Sequence, residues 1–223
     1  MKSPRSTLLA IGALLALVAP GCKTLKRELG IPDLSPAPPE LPAPTAYRDG
    51  TVDFAAVRRV LALPLYDESE QGDATTLLSR TLGEELSRLR RFDVVVPSSS
   101  DASLKSGEAP HRLGQVPIQS IIELGRRYSV DAVVFGTISE YRPYAPPRVA
   151  LKLSLVDTQT GRVLWQVDDF IDASDARTAH SMRKFFDGVI DDQNTEFGDE
   201  LLVTSPEMFA RYALRRSART LLE

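Results

Sequence analysis

The sequence predicts an α/β fold of the α+β kind, a single domain in which a mixed sheet of about five strands is packed by about four helices. Short apolar runs alternate with segments whose apolar residues recur every three or four positions, as in strands and helices that follow one another. Two segments of period two flank a turn sequence at 157–161, which predicts a hairpin, and helical patterns end the chain. The expected order is β-α-β-α-β-β-β-α-α.

Three apolar runs in the first half predict strands, and two patterns between them predict helices. The last run is apolar on both faces, so we expect it at the centre of the sheet. Pro97 ends the second run, and Pro117 fits the first turn of the second helix. The runs are Val60–Leu65, Asp93–Val96 and Asp131–Ile138, and the helical patterns are Leu78, Leu82, Leu86, Leu89 and Ile118, Ile121, Ile122, Gly125.

The second half predicts a hairpin and two helices. The turn Asp157–Gly161 ends in a glycine, which suits a positive φ, and Trp165 lies on the apolar face of the second arm, which places it in the core. Ser174 or Asp175 caps one predicted helix, and Ser205 caps the last. The alternating positions are Val149, Leu151, Leu153, Leu155 and Val163, Trp165, Val167, and the helical ones are Met182, Phe185, Phe186, Val189, Ile190, then Phe209, Tyr212, Ala213.

Residues 1–21 predict a cleaved signal peptide, because Lys2 and Arg5 precede an apolar run that is too short to span a bilayer as a helix. Cys22, the only cysteine in 223 residues, follows Gly21. This arrangement resembles the lipobox of bacterial lipoproteins. The resemblance implies that Cys22 becomes the mature N-terminus and carries acyl chains such as palmitate. An ordinary secretory signal that leaves a free cysteine is the alternative.

Residues 22–50 predict a lipidated cysteine followed by a disordered, proline-rich tether, and residues 51–223 predict the folded periplasmic domain. Six of the chain's 16 prolines lie between residues 31 and 44, which favours an extended, polyproline-like backbone. At ~3.1 Å per residue, residues 23–50 reach roughly 85 Å when fully extended. A passive leader whose length has no function is the alternative to a tether.

Charge and composition exclude several partners. Removing residues 1–21 deletes two basic and no acidic residues, so the net charge changes from −3 to −5. This balance argues against nucleic acid or an anionic membrane surface as the main partner.

In some bacteria an aspartate after the lipidated cysteine retains a lipoprotein in the inner membrane. Lys23 stands there instead, which favours the outer membrane with the domain facing the periplasm.

The runs 131–136 (Asp-Ala-Val-Val-Phe-Gly) and 157–165 (Asp-Thr-Gln-Thr-Gly-Arg-Val-Leu-Trp) carry most of a resemblance that covers about residues 57–170. They resemble a group of envelope lipoproteins that includes the curli secretion lipoprotein CsgG, the penicillin-binding-protein activator LpoB and the N-terminal domain of TolB. The resemblance implies a non-catalytic periplasmic domain that binds other envelope components. A curli-type channel needs additional barrel strands of about 9–11 residues, which we do not find, so the activator-like layout fits better.

The sequence contains no recognisable catalytic, cofactor or metal motif, so we expect neither an enzyme nor a cofactor. Asp172, Asp175 and His180 are a conceivable metal set, but capping and surface roles explain them more simply, and His111 lies in a polar loop. We expect the acidic pairs to be solvated. They are Glu84-Glu85, Asp168-Asp169 and Asp191-Asp192.

Tyr141, Arg142 and Tyr144 are the candidate partner-binding residues, because they lie in a proline-aromatic segment, and tyrosine and arginine are favoured in interface hot spots. A stiff connector is the alternative.

Taken together, the anchor, the tether and the lack of catalytic motifs lead us to expect a non-catalytic adaptor or accessory factor. It is attached to the membrane through acylated Cys22 and binds envelope proteins, with self-association left open. The alternative function is a ring-forming component of a CsgG-like secretion or export assembly.

Overall fold

Strands and helices alternate through the first half of the folded unit, and a long hairpin followed by two helices completes it. The structure is a computed structural model, and it describes residues 39–69, 73–98, 116–193 and 205–223. The strands are β1 Thr45–Arg48, β2 Arg59–Ala62, β3 Tyr66–Asp67, β4 Asp93–Val95, β5 Ala132–Arg142, β6 Arg148–Asp157 and β7 Val163–Asp172. The helices are a 3₁₀ turn Phe54–Ala56, α1 Asp73–Arg88, α2 Ile118–Tyr128, α3 Ala176–Gln193 and α4 Pro206–Arg219.

The described strands form one mixed sheet of seven strands in the order β1-β7-β6-β5-β2-β4, and β3 also pairs with β5. β2, β3 and β4 belong to the parallel part, whereas β5, β6 and β7 are consecutive antiparallel strands. The predicted fold class and the order of the main elements are confirmed. About five strands were expected, and the two additional ones are β1 and β3, which are too short to show a period of two.

β1 lies within the segment expected to be a disordered tether. It pairs antiparallel with β7 from Thr45 opposite Asp168 to Arg48 opposite Trp165. Part of the segment expected to be disordered therefore belongs to the sheet, which begins before residue 51. Backbone pairing to β7 explains the difference, since it orders a segment whose own side chains are all exposed. Cys22 and His111 lie outside the described residues.

The sheet is packed by helices on both faces. α1, α3 and α4 cover one face and form the main core with Leu82, Trp165 and Phe209. On the other face α2 covers a smaller cluster that contains Leu61, Ile121 and Val133. The predicted core position of Trp165 is confirmed, because its side chain is fully buried and its Nε1–H donates to Thr220 Oγ1 at 2.9 Å.

The hairpin turn requires a glycine at position 161. Gly161 has φ of +67°, and a Cβ at this position would overlap the side chain of Ile118 from α2. Gly161→Ala should therefore lower the free energy of unfolding by about 1–3 kcal/mol, measured by urea denaturation. Gly188→Ala in α3 is the matched control, because a Cβ added there would have none of the described atoms within 4 Å. An equal loss in both variants would contradict this role for the turn.

Candidate interaction surface

The sheet face opposite α1, α3 and α4 presents alternate residues of β1, β5, β6 and β7, and we call it the open face. α2 covers part of it, and among the described residues no other helix packs there. Tyr47 and Phe170 lie on this face with 54% and 59% of their surface exposed. Large aromatic side chains that are exposed on a rigid sheet are typical of a contact surface.

The structure separates the three predicted partner-binding residues. Tyr141 is only 5% exposed, whereas Arg142 is exposed and Tyr144 is 77% exposed. Tyr141 is therefore not the exposed contact residue that we expected. β5 continues to Arg142, and an irregularity between Ile138 and Glu140 shifts the alternation so that Tyr141 pairs with Val149 and faces the core. Arg142 and Tyr144 remain available to a partner.

A cluster of charged side chains lies on the open face next to these two residues. Arg148 donates to Asp172 Oδ2 at 2.7 Å and to Glu140 Oε1 at 3.2 Å, and its guanidinium lies 5.8 Å from the ring centre of Phe170. Hydrogen bonds from Ser174, with a smaller contribution from Arg148, lower the pKa of Asp172. The ion pairs hold Arg148 beside the exposed ring. Phe170 is a single aromatic residue on the polar side of β7, and that irregularity is the signal by which the sequence could have revealed it.

The loop between β5 and β6 is fastened to the same region. Arg142 Nη2 donates to the carbonyl oxygen of Pro146 at 3.0 Å, which holds the proline-rich turn against the end of β5. Tyr144 projects from this loop. We use the name open-face patch for Arg142, Tyr144, Arg148 and Phe170 together. It combines two arginines, each held by a hydrogen bond within the domain, with two exposed aromatic rings.

A groove of about 720 Å³ borders the open-face patch. It lies between the segment Leu41–Thr45, the end of β7 and the start of α3. Three of the four carboxylates that line it are paired with arginines: Asp172 with Arg148 and Asp175 with Arg177, both at 2.7 Å, and Asp169 with Arg216 at 3.1 Å. The Arg177 guanidinium lowers the pKa of Asp175 to about 2. Carboxylates fixed in separate ion pairs are poorly suited to acid–base chemistry near neutral pH.

Two acidic residues that were expected in solvent are buried instead. Asp169 is 5% exposed and accepts hydrogen bonds from Arg216 and Ser217, and Glu85 is 1% exposed beside Arg215 at 2.7 Å. Burial raises the pKa of Asp169, although Arg216 opposes the shift. Arg216 also donates to the Pro42 carbonyl, which attaches the segment before β1 to the domain. Both pairs serve the fold, since each charge is compensated by an arginine of α4.

Asp172, Asp175 and His180, for which capping and surface roles were preferred, do not form a metal site among the described residues. Asp172 and Asp175 are engaged with arginines, and no group of three or more metal-ligating side chains comes together within the described ranges. In the same part of the chain, no helix combines the length and apolar composition needed to cross a bilayer.

The buried position of Tyr141 has a measurable consequence. Burial raises the pKa of Tyr141 to about 12, from an ordinary value of 10.0. Its contribution to stability is therefore present below pH ~10 and is lost as the pH rises toward 12, by roughly 2–3 kcal/mol in all. Tyr141→Phe should flatten this alkaline loss and change stability little at neutral pH, because the hydroxyl has no hydrogen-bond partner among the described residues. Urea denaturation over this pH range measures both effects. If Tyr141→Phe loses as much stability at alkaline pH as the wild type, Tyr141 is not the buried group that causes the loss.

Comparisons with known proteins give only distant likenesses. No protein-family model matches the chain, and no curated protein matches it. Among solved structures, it is similar to the PelC dodecamer from Paraburkholderia phytofirmans, with 13% identity and a TM-score of 0.44 over 77% of this chain and 97% of that one.

The chain is also similar to one protein described as a lipoprotein and to one domain of LpoB. Lipoprotein GNA1162 from Neisseria meningitidis has 19% identity and a TM-score of 0.41, covering 63% of this chain and 99% of that one. The LpoB C-terminal domain from Salmonella enterica has 19% identity and a TM-score of 0.36, covering 56% and 87%. At these values the likenesses define neither a family nor a function, which must follow from this chain's own residues.

Proposed function

We propose that this chain is a lipid-anchored adaptor of the bacterial cell envelope, attached to the outer membrane through Cys22, whose folded domain faces the periplasm and binds other envelope proteins without catalysing a reaction. The open-face patch is the observation that supports this function most directly. It places two exposed aromatic rings and two arginines together on three consecutive strands, β5, β6 and β7, and on the loop between β5 and β6. Such side chains dominate protein–protein hot spots.

The rigidity of the patch supports a binding role. Arg148 is held by two carboxylates on neighbouring strands, and the loop that carries Tyr144 is fastened through Arg142. Side chains that are already ordered lose less conformational entropy when a partner binds. The groove supports a binding role more than a catalytic one, since three of its four carboxylates are each paired with an arginine.

The junction between the expected tether and the domain is also ordered. β1 pairs with β7, and Arg216 binds the Pro42 carbonyl, so the chain enters the domain beside the open face. Because the segment is held against the domain where it enters, the tether restricts the orientation of the domain more than a free linker would. We therefore expect the extended part of the tether to end near residue 40.

The anchor is tested by metabolic labelling with radioactive palmitate and by membrane fractionation. The full chain should incorporate label and sediment with outer membranes, and Cys22→Ala should lose both properties. Two or three acyl chains at ~0.8 kcal/mol per buried methylene give stable attachment, so the difference should be nearly complete. If the protein takes up no label, or if Cys22→Ala fractionates as the full chain does, the anchor is contradicted and an ordinary secretory signal explains residues 1–21.

The adaptor role is tested by crosslinking intact cells and quantifying the proteins that copurify with the full chain. The variant Arg142→Ala/Tyr144→Ala should recover at least tenfold less of one envelope protein, because truncating two hot-spot residues costs about 1 kcal/mol or more each. The matched control is Arg183→Ala/Lys184→Ala, which removes exposed side chains from α3. Equal recovery from all three chains would exclude the patch, and recovery of the chain itself alone would favour a self-assembly.

A further inference from the structure

A second surface lies at the end of the sheet where β2, β4 and β5 begin. Parallel pairing places Arg59 opposite Asp93 and Val60 opposite Ala132, so these three strands start at the same level. Arg59 Nη1 also donates to the carbonyl oxygen of Ser129, just after α2, at 2.9 Å. The segments that follow α1 and α2 therefore meet here. We call this surface the arginine end, and it consists of Arg58, Arg59, Arg90, Arg91, Arg126 and Arg127.

The acidic residues of these strand starts are already engaged. Asp93 pairs with Arg59 at 3.1 Å, and Asp131 Oδ2 accepts hydrogen bonds from the backbone N–H groups of Arg58 and Arg59 at 2.8 and 2.9 Å. Four exposed arginines have no ion pair with any of the described residues. They are Arg58, Arg90, Arg91 and Arg126.

Helix dipoles explain only part of this concentration of charge. Arg126 lies in the last turn of α2, where a cation is favoured by the helix C-terminus. Arg90 and Arg91 directly follow α1, whose C-terminus favours them as well, but Arg58 and Arg59 lie at the start of a strand, where no helix terminus accounts for them. The surplus of cations at this end therefore goes beyond what the helix termini require, in a chain whose overall net charge is negative.

The side-chain type and the spread of the arginines indicate the chemistry of a ligand. A guanidinium binds a carboxylate with two parallel hydrogen bonds, which a lysine cannot do. α1 and α2 pack on opposite faces of the sheet, so the arginines flank it on both sides. This arrangement fits an extended acidic surface better than a single small anion.

We propose that the arginine end is a second docking surface, which takes the acidic face of a partner protein. The exposed aromatic side chains among the described residues, Tyr47, Tyr144 and Phe170, lie on other elements, so nothing aromatic anchors this end in a bilayer. Charge complementarity with carboxylates is the contact that remains. An adaptor with two surfaces holds one partner at the open face and another at the arginine end.

The experiment measures binding of a fluorescent oligoglutamate peptide to the full chain in neutral detergent, by anisotropy at low salt. Arg90→Glu/Arg91→Glu should weaken binding about tenfold. Arg183→Glu/Lys184→Glu, which makes the same change of charge on α3, should weaken it less than about twofold. Circular dichroism and Trp165 fluorescence verify that both variants fold.

Two results overturn the proposal. Equal losses in both variants would show a response to net charge alone. Binding to phosphatidylglycerol vesicles that depends on Arg90 and Arg91, without peptide binding, would assign the surface to lipid instead. Neither result affects the adaptor role of the open-face patch, because the variants leave that patch unchanged.

Discussion

Replacing Trp165 with alanine is expected to lower the free energy of unfolding by about 3–5 kcal/mol. The indole is fully buried in the main core, and its Nε1–H is paired with Thr220 Oγ1 just after α4. Alanine leaves a cavity between β7 and α4 and removes the N–H donor to that hydroxyl, which keeps only its own hydrogen bond to the Ser217 carbonyl. Because such a loss is a large fraction of the stability of a domain this size, urea denaturation should show a much lower midpoint.

Two further variants separate the packing of Trp165 from its hydrogen bond. Trp165→Phe keeps most of the buried surface, so it should cost about 1–2 kcal/mol. Val163→Ala on the same strand is the control and should cost less than about 1 kcal/mol, because Val163 is 39% exposed. If Trp165→Ala lowers the free energy of unfolding no more than Val163→Ala does, Trp165 is not packed between β7 and α4 as described.

Replacing Glu85 with alanine is expected to destabilise the fold by about 2–3 kcal/mol, because it removes the buried counter-charge shared by three partly exposed arginines. Glu85 is 1% exposed, and arginines approach its carboxylate at 2.7 Å from Arg215, 3.5 Å from Arg88 and 3.7 Å from Arg211. Burial, followed by the charge of Arg88, already lowers the pKa of Arg211. Without Glu85 this repulsion loses its largest compensation at the contact between α1 and α4, since the contribution of Glu84 is smaller.

Glu84→Ala is the matched control for Glu85, since the neighbouring side chain is 44% exposed and lies 3.9 Å from Arg80. Its cost should stay within about 0.5 kcal/mol. The double variant Glu85→Ala/Arg215→Ala should recover part of the loss, because it removes the nearest stranded cation. Equal effects of Glu84→Ala and Glu85→Ala in urea denaturation would contradict the buried cluster.

The sequence predicted elements whose packing follows from their own periodicity. Leu78, Leu82 and Leu86 are fully buried on α1, and the arms of the β6–β7 hairpin alternate as expected away from the turn. Val163 was expected to share the inner face with Trp165, but an irregularity next to the turn leaves Val163 39% exposed and buries Leu164 instead. It could not predict β1, because Thr45–Arg48 is ordered by pairing with a strand about 120 residues later in the chain. Pairing partners at that separation leave no local pattern.

The candidate site was predicted in part, and both main errors have local causes. Tyr141 was placed in a loop because β5 was expected to end at Ile138, whereas the strand continues through an irregularity between Ile138 and Glu140. Glu85 lies three positions after Leu82 on the buried stripe of α1, so its spacing was visible. Its counter-charges come mainly from α4, and nothing near Glu85 in the sequence indicates them. Phe170 was missed because the predicted alternation on this strand ended at Val167, whereas β7 continues to Asp172.

The adaptor role is tested most directly by placing a photo-crosslinking amino acid at position 170 or 144 of the full chain in living cells. We expect both positions to form crosslinks with the same envelope protein, and the control position 183 on α3 to form none with it. Crosslinks from position 183 alone, or no difference among the three positions, would contradict the claim that the open-face patch is the docking surface of this anchored domain.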